Sequence, residues 1–380
     1  MGERAKRSLK ICVVAGIPPV NILVVKFVRV LEPIVDEMVL ITGNYPPQDI
    51  FSPKIELINL TNDSRNPSVL IKAARFALLQ FRMLYHLVKN MSRAPVVIFF
   101  LEGGTSLLPM LAARLAGKRT IIVAAYSSTQ VAREVHQGSR QGVFLIRITS
   151  VLERLNYRLA GTIVVYSPAI IRQFGLARHR GKISIAPRHF LDFDRFTTQK
   201  PLGERENLIG YIGRLSHEKG TLNFLEAIPK VLDATGERAF LVGGDGPLRP
   251  QVEDCAAHPD SKLRFAGWVP HDDLPRFLND LKLLVLPSYT EGLPNIMLEA
   301  MACGTPVLAT PVGAVPDVIR DGETGFIMES NSPACIAGNI VRALNHPDLE
   351  RIAGNARALV EREFTLEKAV ERYRQVLSGG

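Results

Sequence analysis

The sequence reads Glu291-Gly-Leu-Pro-Asn-Ile-Met-Leu-Glu299 at the point where a short apolar run gives way to a helical pattern. The preceding run, Leu281-Lys-Leu-Leu-Val-Leu286, fits a buried parallel strand that ends just before the loop. Pro294 suits the first position of a helix, because it has no amide hydrogen and its φ is fixed. The stretch therefore predicts a strand, a loop that contains Glu291, and a helix that contains Glu299 about a turn and a half from its start.

The predicted helix start can serve as an anion site. It offers unpaired backbone N–H groups and the positive end of a helix dipole, which together favour phosphate. An acid within the helix can accept hydrogen bonds from sugar hydroxyls. The alternative is an ordinary surface helix with a capping acid, and the spacing alone leaves both interpretations open.

A second predicted strand and loop, earlier in the chain, carries two cations. It reads Asn207-Leu-Ile-Gly-Tyr-Ile-Gly213-Arg214-Leu-Ser-His-Glu-Lys219-Gly220, with a helix start near Thr221. Arg214 offers a planar fork to phosphate oxygens and Lys219 a point charge, so the pair can neutralise a diphosphate at the carboxyl end of a strand. Solvated surface cations are the alternative.

These two elements belong to a series of short blocks in a fixed order. The blocks are Gly213-Arg214-Leu with Lys219-Gly220, Val242-Gly-Gly-Asp-Gly246-Pro247-Leu248, Phe265-Ala-Gly267-Trp-Val269, Leu286-Pro-Ser288, Glu291 to Glu299, Ala302-Cys-Gly-Thr-Pro-Val307, and Asp321-Gly-Glu-Thr-Gly325-Phe326. Together they resemble the C-terminal half of family-four retaining glycosyltransferases, strongly over roughly residues 205–330 and in outline elsewhere. The resemblance implies an α/β chain of the GT-B fold, with two Rossmann-like parallel-sheet domains that face a cleft.

The resemblance also implies a role for each matching residue. Arg214 and Lys219 would hold the diphosphate of a nucleotide-sugar donor, and Glu299 would accept hydrogen bonds from the ribose. Glu291, with the backbone of residues 292–295, would orient the donor sugar rather than attack it. The implied donor-binding residues are Gly16, Gly213, Arg214, Lys219, Gly244, Gly246, Glu291, Gly292, Leu293, Pro294, Asn295 and Glu299.

Three of these residues, Arg214, Lys219 and Glu291, are the implied catalytic residues. A departing phosphate held by fixed charges and helix N-termini can take up the acceptor proton without a metal ion. Gly244 and Gly246 have no side chains and would let a loop backbone lie close to the donor. The alternative is that they form a plain tight turn.

The length of 380 residues predicts two domains of roughly 180 residues each. We place an acceptor-binding domain at residues 1–200, a nucleotide-sugar-binding domain at 201–363, and a final helix at 364–380 with the option of returning to the first domain. Apolar runs at residues 96–101 and 120–125 alternate with helical patterns, as in parallel sheets covered on both faces. No apolar run is long enough to predict a transmembrane helix.

Two further features favour a cytoplasmic location. The stretch from Ile11 to Val25 follows basic residues but is broken by Pro18-Pro19, so a strand, a loop and a helix start explain it better than a secretion signal. The four cysteines lie far apart in apolar contexts, which predicts neither a zinc site nor disulfides. They are Cys12, Cys255, Cys303 and Cys335.

The two halves of the chain differ in charge. Residues 1–200 hold 28 Lys and Arg against 12 Asp and Glu, whereas residues 201–380 hold 18 against 25. Over residues 72–89 and 143–158 the cations are interleaved with apolar residues, as in helices that lie on an anionic bilayer. This predicts a lipid-linked or glycan acceptor at the inner face of a membrane, the alternative being helices that pack on the sheet and show their cations to water.

Other partners of a basic domain are less favoured. No helix-turn-helix, zinc-finger spacing or aromatic RNA-binding block accompanies the charge, so nucleic acid is not a predicted partner. Asp192-Phe-Asp194 matches the Asp-x-Asp motif of metal-dependent transferases, but it resembles the connector of the family, so we predict a turn and no metal site.

The N-terminal half departs from the family pattern. Its first loop holds one glycine, so Gly16 is the predicted backbone contact to the diphosphate. Glu102 and Tyr126 follow predicted strands, and Arg188 stands where the family often has Asn. These three residues are the predicted acceptor contacts, with plain loop and linker residues as the alternative.

The sequence thus predicts a retaining, metal-independent glycosyltransferase that uses UDP-, GDP- or another nucleotide sugar and no further cofactor. Three alternatives stay open: a transferase for a soluble sugar or glycan, a nucleotide-sugar epimerase, and an inactive nucleotide-sugar-binding subunit.

Overall fold

The structure, a computed structural model, describes residues 8–16, 22–43, 51–60, 69–101, 105–125, 127–135, 140–236, 238–259 and 261–379. The chain divides into two compact units. The first unit comprises Met1–Tyr166, Ile171–Arg188 and Ala369–Gly380, and the second comprises Ser167–Ile170 and His189–Lys368.

The first unit is built on a seven-stranded parallel sheet in the order β3-β2-β1-β4-β5-β6-β7. Its strands are β1 (Lys10–Ala15), β2 (Glu37–Thr42), β3 (Ile55–Asn59), β4 (Val96–Phe100), β5 (Arg119–Val123), β6 (Thr162–Val165) and β7 (Ile183–Ile185). The central strands are buried almost throughout, which explains why they read as continuous apolar runs rather than alternating ones.

Helices connect these strands. They are α1 (Ile22–Leu31), α2 (Val69–Asn90), α3 (Leu107–Leu115), α4 (Ser128–Val135), α5 (Arg140–Leu159) and α6 (Pro168–Gln173), and a 3₁₀ helix (Leu176–Lys182) precedes β7. The last helix, α14 (Leu366–Ser378), also ends in the first unit. There Arg119 donates hydrogen bonds to the carbonyls of Leu377 (2.6 Å) and Val376 (2.5 Å), so a cation satisfies the terminal acceptors of the helix.

The second unit is built on a six-stranded parallel sheet in the order β10-β9-β8-β11-β12-β13. Its strands are β8 (Leu208–Ile212), β9 (Ala239–Gly243), β10 (Leu263–Gly267), β11 (Leu283–Leu286), β12 (Val307–Ala309) and β13 (Phe326–Ile327). Its helices are α7 (Thr221–Thr235), α8 (Arg249–Ala257), α9 (Leu274–Asp280), α10 (Asn295–Ala302), α11 (Val315–Val318), α12 (Pro333–Leu344) and α13 (Leu349–Glu363). Helices α7 and α12 pack together over a core that includes Phe224, Phe240 and Phe326.

The two parallel sheets confirm the predicted fold class. The apolar runs at 96–101 and 120–125 form β4 and β5, and the basic stretches 72–89 and 143–158 lie within α2 and α5. Among the described residues, no helix is long and apolar enough to cross a membrane.

Candidate functional site

The candidate site lies at the carboxyl ends of three neighbouring strands in the second unit. Strand β8 has β9 on one side and β11 on the other, so the chain leaves β8 towards one neighbour and later returns on the opposite side. Ligands of open parallel sheets bind at such a switch point, where the diverging loops leave room. The loops after β8, β9 and β11 carry most of the residues that the sequence analysis singled out.

The loops after β8 and β9 contact each other through their backbones. Gly213 N–H donates to Gly243 O (2.9 Å), and Leu215 N–H donates to Asp245 O (2.9 Å). A Cβ atom on Gly244 would lie 1.8 Å from Gly213 O. A Cβ atom on Gly246 would lie 2.4 Å from the carbonyl oxygen of Leu215. Both glycines are therefore required for the close approach of the two loops, a stricter demand than a tight turn makes.

The loops after β8 and β11 are joined as well. Gly220 has a φ of 70°, and a Cβ atom there would lie 2.1 Å from the carbonyl oxygen of Pro287. Tyr289 N–H donates to Glu218 O (2.9 Å), and the Tyr289 ring stacks on the ring of His217 with centroids 5.2 Å apart. Two of the sequence blocks that carry the resemblance, the one around Lys219 and the one around Ser288, are therefore in direct contact.

A charged pair bridges these two loops. Lys219 Nζ lies 2.7 Å from Glu291 Oε1, and Ser288 Oγ donates to the same oxygen at 2.7 Å. The Glu291 side chain is 11% exposed and that of Lys219 30% exposed, so the pair is largely shielded from water. Two donors on one oxygen hold the Glu291 carboxylate in a single orientation.

Arg214 differs from Lys219 in its surroundings. Its side chain is 66% exposed and its nearest acid, Glu218, lies 4.0 Å away, a contact too exposed to restrain it firmly. The backbone beneath it is fixed, because Tyr211 Oη donates to Arg214 O at 2.8 Å. Burial raises the pKa of Tyr211, which keeps this phenol protonated and able to donate. Arg214 therefore presents a weakly paired, exposed cation on an ordered loop.

The helix after β11 begins one residue later than the sequence indicated. Pro294 has a φ of −67° and a ψ of 120°, so it is the extended N-cap residue and α10 begins at Asn295. The fixed ring angle of proline suits both positions, and only ψ distinguishes them. No side chain caps the first turn of α10 at Pro294, so the helix start keeps amides for an anion.

Glu299 is buried within α10. It is 3% exposed, and its Oε1 lies 3.0 Å from Nε2 of His271. Its predicted contact with a ribose stays a prediction. In this geometry a ribose hydroxyl would share the carboxylate with His271.

The sequence analysis missed several residues that shape the site. His271 lies two residues beyond the Gly267-Trp-Val269 block, and Ser288 closes the Leu286-Pro-Ser block, so both were within reach of the motifs. Gly313 carried only a weak signal, as a glycine shortly after a short strand. Its φ is 61°, and a Cβ atom there would lie 2.3 Å from the carbonyl oxygen of Glu291.

The remaining predicted residues lie in the first unit or outside the described residues. Gly16 follows β1, and its N–H donates to Phe100 O (3.0 Å), so the sheet already uses this amide. Arg188 is 3% exposed, donates to Tyr166 Oη (3.0 Å) and lies over the Phe100 ring. Their contacts with donor and acceptor stay predictions. Glu102 and Tyr126 lie outside the residues that the structure describes.

The Asp-x-Asp sequence forms a turn, as predicted. The Asp192 carboxylate accepts hydrogen bonds from the backbone N–H groups of Asp194 (3.2 Å) and Arg195 (3.3 Å). A carboxylate that bonds the backbone two and three residues onward is typical of a turn. Within the described part of the chain, no three His, Cys, Asp or Glu side chains form a group that could hold a metal ion.

Comparison with known proteins agrees with this geometry. The family model of glycosyl transferases group 1 matches residues 206–346. The 2-deoxystreptamine glucosyltransferase of Streptomyces kanamyceticus is 34% identical over 142 residues, which are 37% of this chain and 37% of that protein. An α-1,4-N-acetyl-D-galactosaminyltransferase of Campylobacter jejuni, whose name gives an undecaprenol-linked acceptor, is 25% identical over 285 residues, 73% of this chain and 74% of that protein.

A likeness of fold extends over the whole chain. The HepE protein of Anabaena, solved in complex with UDP, has a TM-score of 0.73 at 16% identity, with 98% of this chain and 100% of that chain covered. The fold therefore defines the class: an α/β protein of the GT-B fold. More particularly, residues 206–346 of its second unit match the family model of glycosyl transferases group 1, which confirms the resemblance to glycosyltransferases of the GT-B fold.

Two glycines test whether the Glu291 loop depends on close backbone approach. Gly313 and Gly322 have similar φ values, 61° and 73°, but no atom lies within 4 Å of a Cβ built on Gly322. Both Gly→Ala variants lose about 1–2 kcal/mol through backbone strain. Gly313→Ala should lose at least about 2 kcal/mol more, because its methyl group displaces the loop. Urea unfolding measures both, and equal losses would contradict the role given to Gly313.

Proposed function

We propose that this chain is a retaining glycosyltransferase that moves a sugar from a nucleotide-diphosphate donor to an acceptor. The observation that carries the proposal is the Lys219–Glu291 pair, held at 2.7 Å across a switch point next to the start of α10. The family match over residues 206–346 includes both residues. A cation, an oriented carboxylate and a helix start are the groups that a diphosphate and a sugar require.

Donor binding would rearrange the charges of the site. The diphosphate would take Arg214, which has only a weak partner, and would share Lys219 with Glu291. Glu291, held by Ser288, would then accept hydrogen bonds from hydroxyls of the donor sugar. The positive end of α10 would add to the neutralisation of the diphosphate. In this proposal these groups neutralise the diphosphate, which other transferases do with a divalent metal ion.

The transfer step would proceed on one face of the sugar. The bond between the anomeric carbon and the phosphate oxygen breaks, and its electron pair leaves with the phosphate. The acceptor oxygen bonds to the anomeric carbon from the same face, and its proton passes to the departing phosphate oxygen. Arg214 and Lys219 stabilise the charge that grows on the phosphate. The anomeric configuration is retained because the new bond forms on the face from which the old bond breaks.

The acceptor would be presented at an anionic membrane surface. Helix α2 buries Leu79, Met83 and Leu87, yet it also exposes a second apolar stripe. Contacts of α2 with α3, and of α3 with α5, place these three helices next to one another. The large exposed apolar residues of these helices are Phe76, Leu78, Phe81, Tyr85, Val88, Leu111, Leu115, Val143, Phe144, Ile148, Val151 and Leu155.

We call this set the apolar helix face. Its residues lie on three neighbouring helices, and Lys89, Arg147 and Arg158 are exposed on the same helices. Apolar side chains with basic neighbours are typical of helices that lie in a bilayer interface. The Campylobacter relative named for an undecaprenol-linked acceptor supports the same location. The Streptomyces relative named for 2-deoxystreptamine supports the alternative, a small-molecule acceptor.

Donor binding is the first test. Lys219→Ala and Arg214→Ala should each weaken the affinity for UDP or GDP by about 1.5–3 kcal/mol, because each removes a charge-assisted bond. Lys230→Ala removes an exposed cation of α7 away from these loops and is the matched control. Isothermal titration calorimetry measures the three affinities. Unchanged binding in both site variants would overturn the donor assignment.

Transfer itself is the second test. Labelled nucleotide sugars, incubated with the protein and a membrane extract, should yield a labelled product whose anomeric configuration, read by NMR, equals that of the donor. Lys219→Ala should lower the rate by about 100-fold or more, since it removes a charge that stabilises the leaving phosphate. An inverted product would contradict retention. Nucleotide binding without transfer to any acceptor would instead support an inactive binding subunit.

Membrane binding has its own test. The protein should float with vesicles of phosphatidylcholine and phosphatidylglycerol, less with phosphatidylcholine alone, and less as salt rises. The double variant Phe81→Ser with Phe144→Ser should lower the partition coefficient about tenfold or more, because two aromatic rings no longer enter the interface. Trp268→Ser, at an exposed aromatic residue of the second unit, is the control. If vesicle binding depends neither on lipid charge nor on the double variant at Phe81 and Phe144, the small-molecule acceptor is favoured.

A further inference from the structure

The first unit contains a cavity that no part of the proposed donor site uses. It has a volume of about 400 Å³ and lies between α4, α5 and residues 173–179. This volume is in the range of small-molecule sites. All of its lining residues belong to the first unit, whereas Arg214, Lys219 and Glu291 belong to the second.

The floor of the cavity holds a carboxylate that is fully engaged. Glu153 is buried and accepts hydrogen bonds from Ser127 Oγ (3.0 Å), Ser128 N–H (3.0 Å) and Thr129 Oγ1 (2.5 Å). Tyr157 Oη donates at 3.4 Å to Glu153 Oε1, the oxygen that also accepts from Ser128 N–H. These bonds tie α5 to the start of α4 and keep Glu153 from turning towards the rim. Among the described residues that line the cavity, Glu153 is the one acid, and these structural hydrogen bonds occupy it.

The rim of the cavity is cationic. It carries Arg133, Arg154, Arg178 and His179. Within the part of the chain that the structure describes, neither Arg133 nor Arg178 pairs with a carboxylate, and Arg154 uses its Nε on the carbonyl of Ser150 (3.0 Å). The pKa of His179 is lowered by burial and by the cations Lys182, Arg178 and Arg158, which shows how positive charge accumulates on this side.

Another part of the lining is polar but uncharged, and we call it the glutamine wall. Gln130 Nε2 donates to the Gln173 carbonyl (3.3 Å), and Gln173 Nε2 donates to Gln130 Oε1 (3.4 Å). Carboxamides have further donor and acceptor capacity for hydroxyl groups. Three guanidinium groups without acids next to two carboxamides match an anion attached to a hydroxylated body.

We propose that this cavity binds a phosphomonoester of a polyol or sugar, with the phosphate on the arginine rim and the hydroxyls on the glutamine wall. The site is separate from the donor site and does not depend on the transferase activity proposed above. A lipid with a phosphomonoester head group offers the same chemistry as a free sugar or polyol phosphate, and the experiment distinguishes these two sources.

The probe is glycerol 3-phosphate, titrated calorimetrically into the whole chain with UDP at saturation, so that the donor site is filled. Arg178→Gln and Arg154→Gln should each weaken binding about tenfold or more, the usual effect of losing a charge-assisted bond. Arg147→Gln changes the same charge on the same helix as Arg154 but outside the cavity lining, and it should bind as the wild type does. All three variants should keep the wild-type affinity for UDP, which separates a failure here from a failure of the donor assignment.

Vesicles provide the second arm. If vesicles of phosphatidylcholine with phosphatidic acid bind in an Arg178-dependent way and glycerol 3-phosphate does not, the phosphomonoester belongs to a lipid. If neither probe depends on Arg154 and Arg178, or if Arg147→Gln weakens the binding of glycerol 3-phosphate as much as they do, the cavity is not a phosphate site and the proposal is overturned.

Discussion

The close approach of four loop backbones at the carboxyl edge of the second sheet is the constraint on which the candidate site depends. Gly220, Gly244, Gly246 and Gly313 each lie so near a neighbouring carbonyl that a Cβ atom would come within 1.8–2.4 Å of it. Each also has a positive φ, which other residues adopt only with strain. The loops after β8, β9, β11 and β12 can therefore approach this closely only because these four positions have no side chain. Polar groups on these loops reach one another only because the backbones do.

The Lys219–Glu291 pair is the main chemical consequence of that approach. The two residues lie 72 positions apart in the chain, yet their side chains meet at 2.7 Å, because β8 and β11 are neighbours in the sheet. A salt bridge that is partly shielded from water keeps both charges in place. A diphosphate that competes for Lys219 would free the carboxylate of Glu291 for a sugar. The pair thus links recognition of the phosphate to orientation of the sugar in the proposed function.

The first unit uses its positive charge differently. Part of it is structural, as where Arg119 holds the end of α14 and Arg188 lies buried against Phe100 and Tyr166. The remainder is exposed along α2 and α5 beside the apolar helix face, or gathers at the rim of the cavity next to Glu153. The basic residues of the first unit therefore have several different roles. These roles can be told apart only from the burial and the neighbours of each residue.

The sequence by itself determined the class of fold, the main strands, and the motifs that contain Arg214, Lys219, Glu291 and Glu299. These follow from local patterns: continuous apolar runs form buried parallel strands, and proline, glycine and acids mark the loops and helix starts between them. The pairing of Lys219 with Glu291, the contact of His271 with Glu299 and the need for glycine at position 313 came only from the tertiary structure. Each of these depends on which strands are neighbours and how closely their loops pack. Strand order depends on how whole faces of the sheet are buried, and the spacing of residues along the chain does not reveal it.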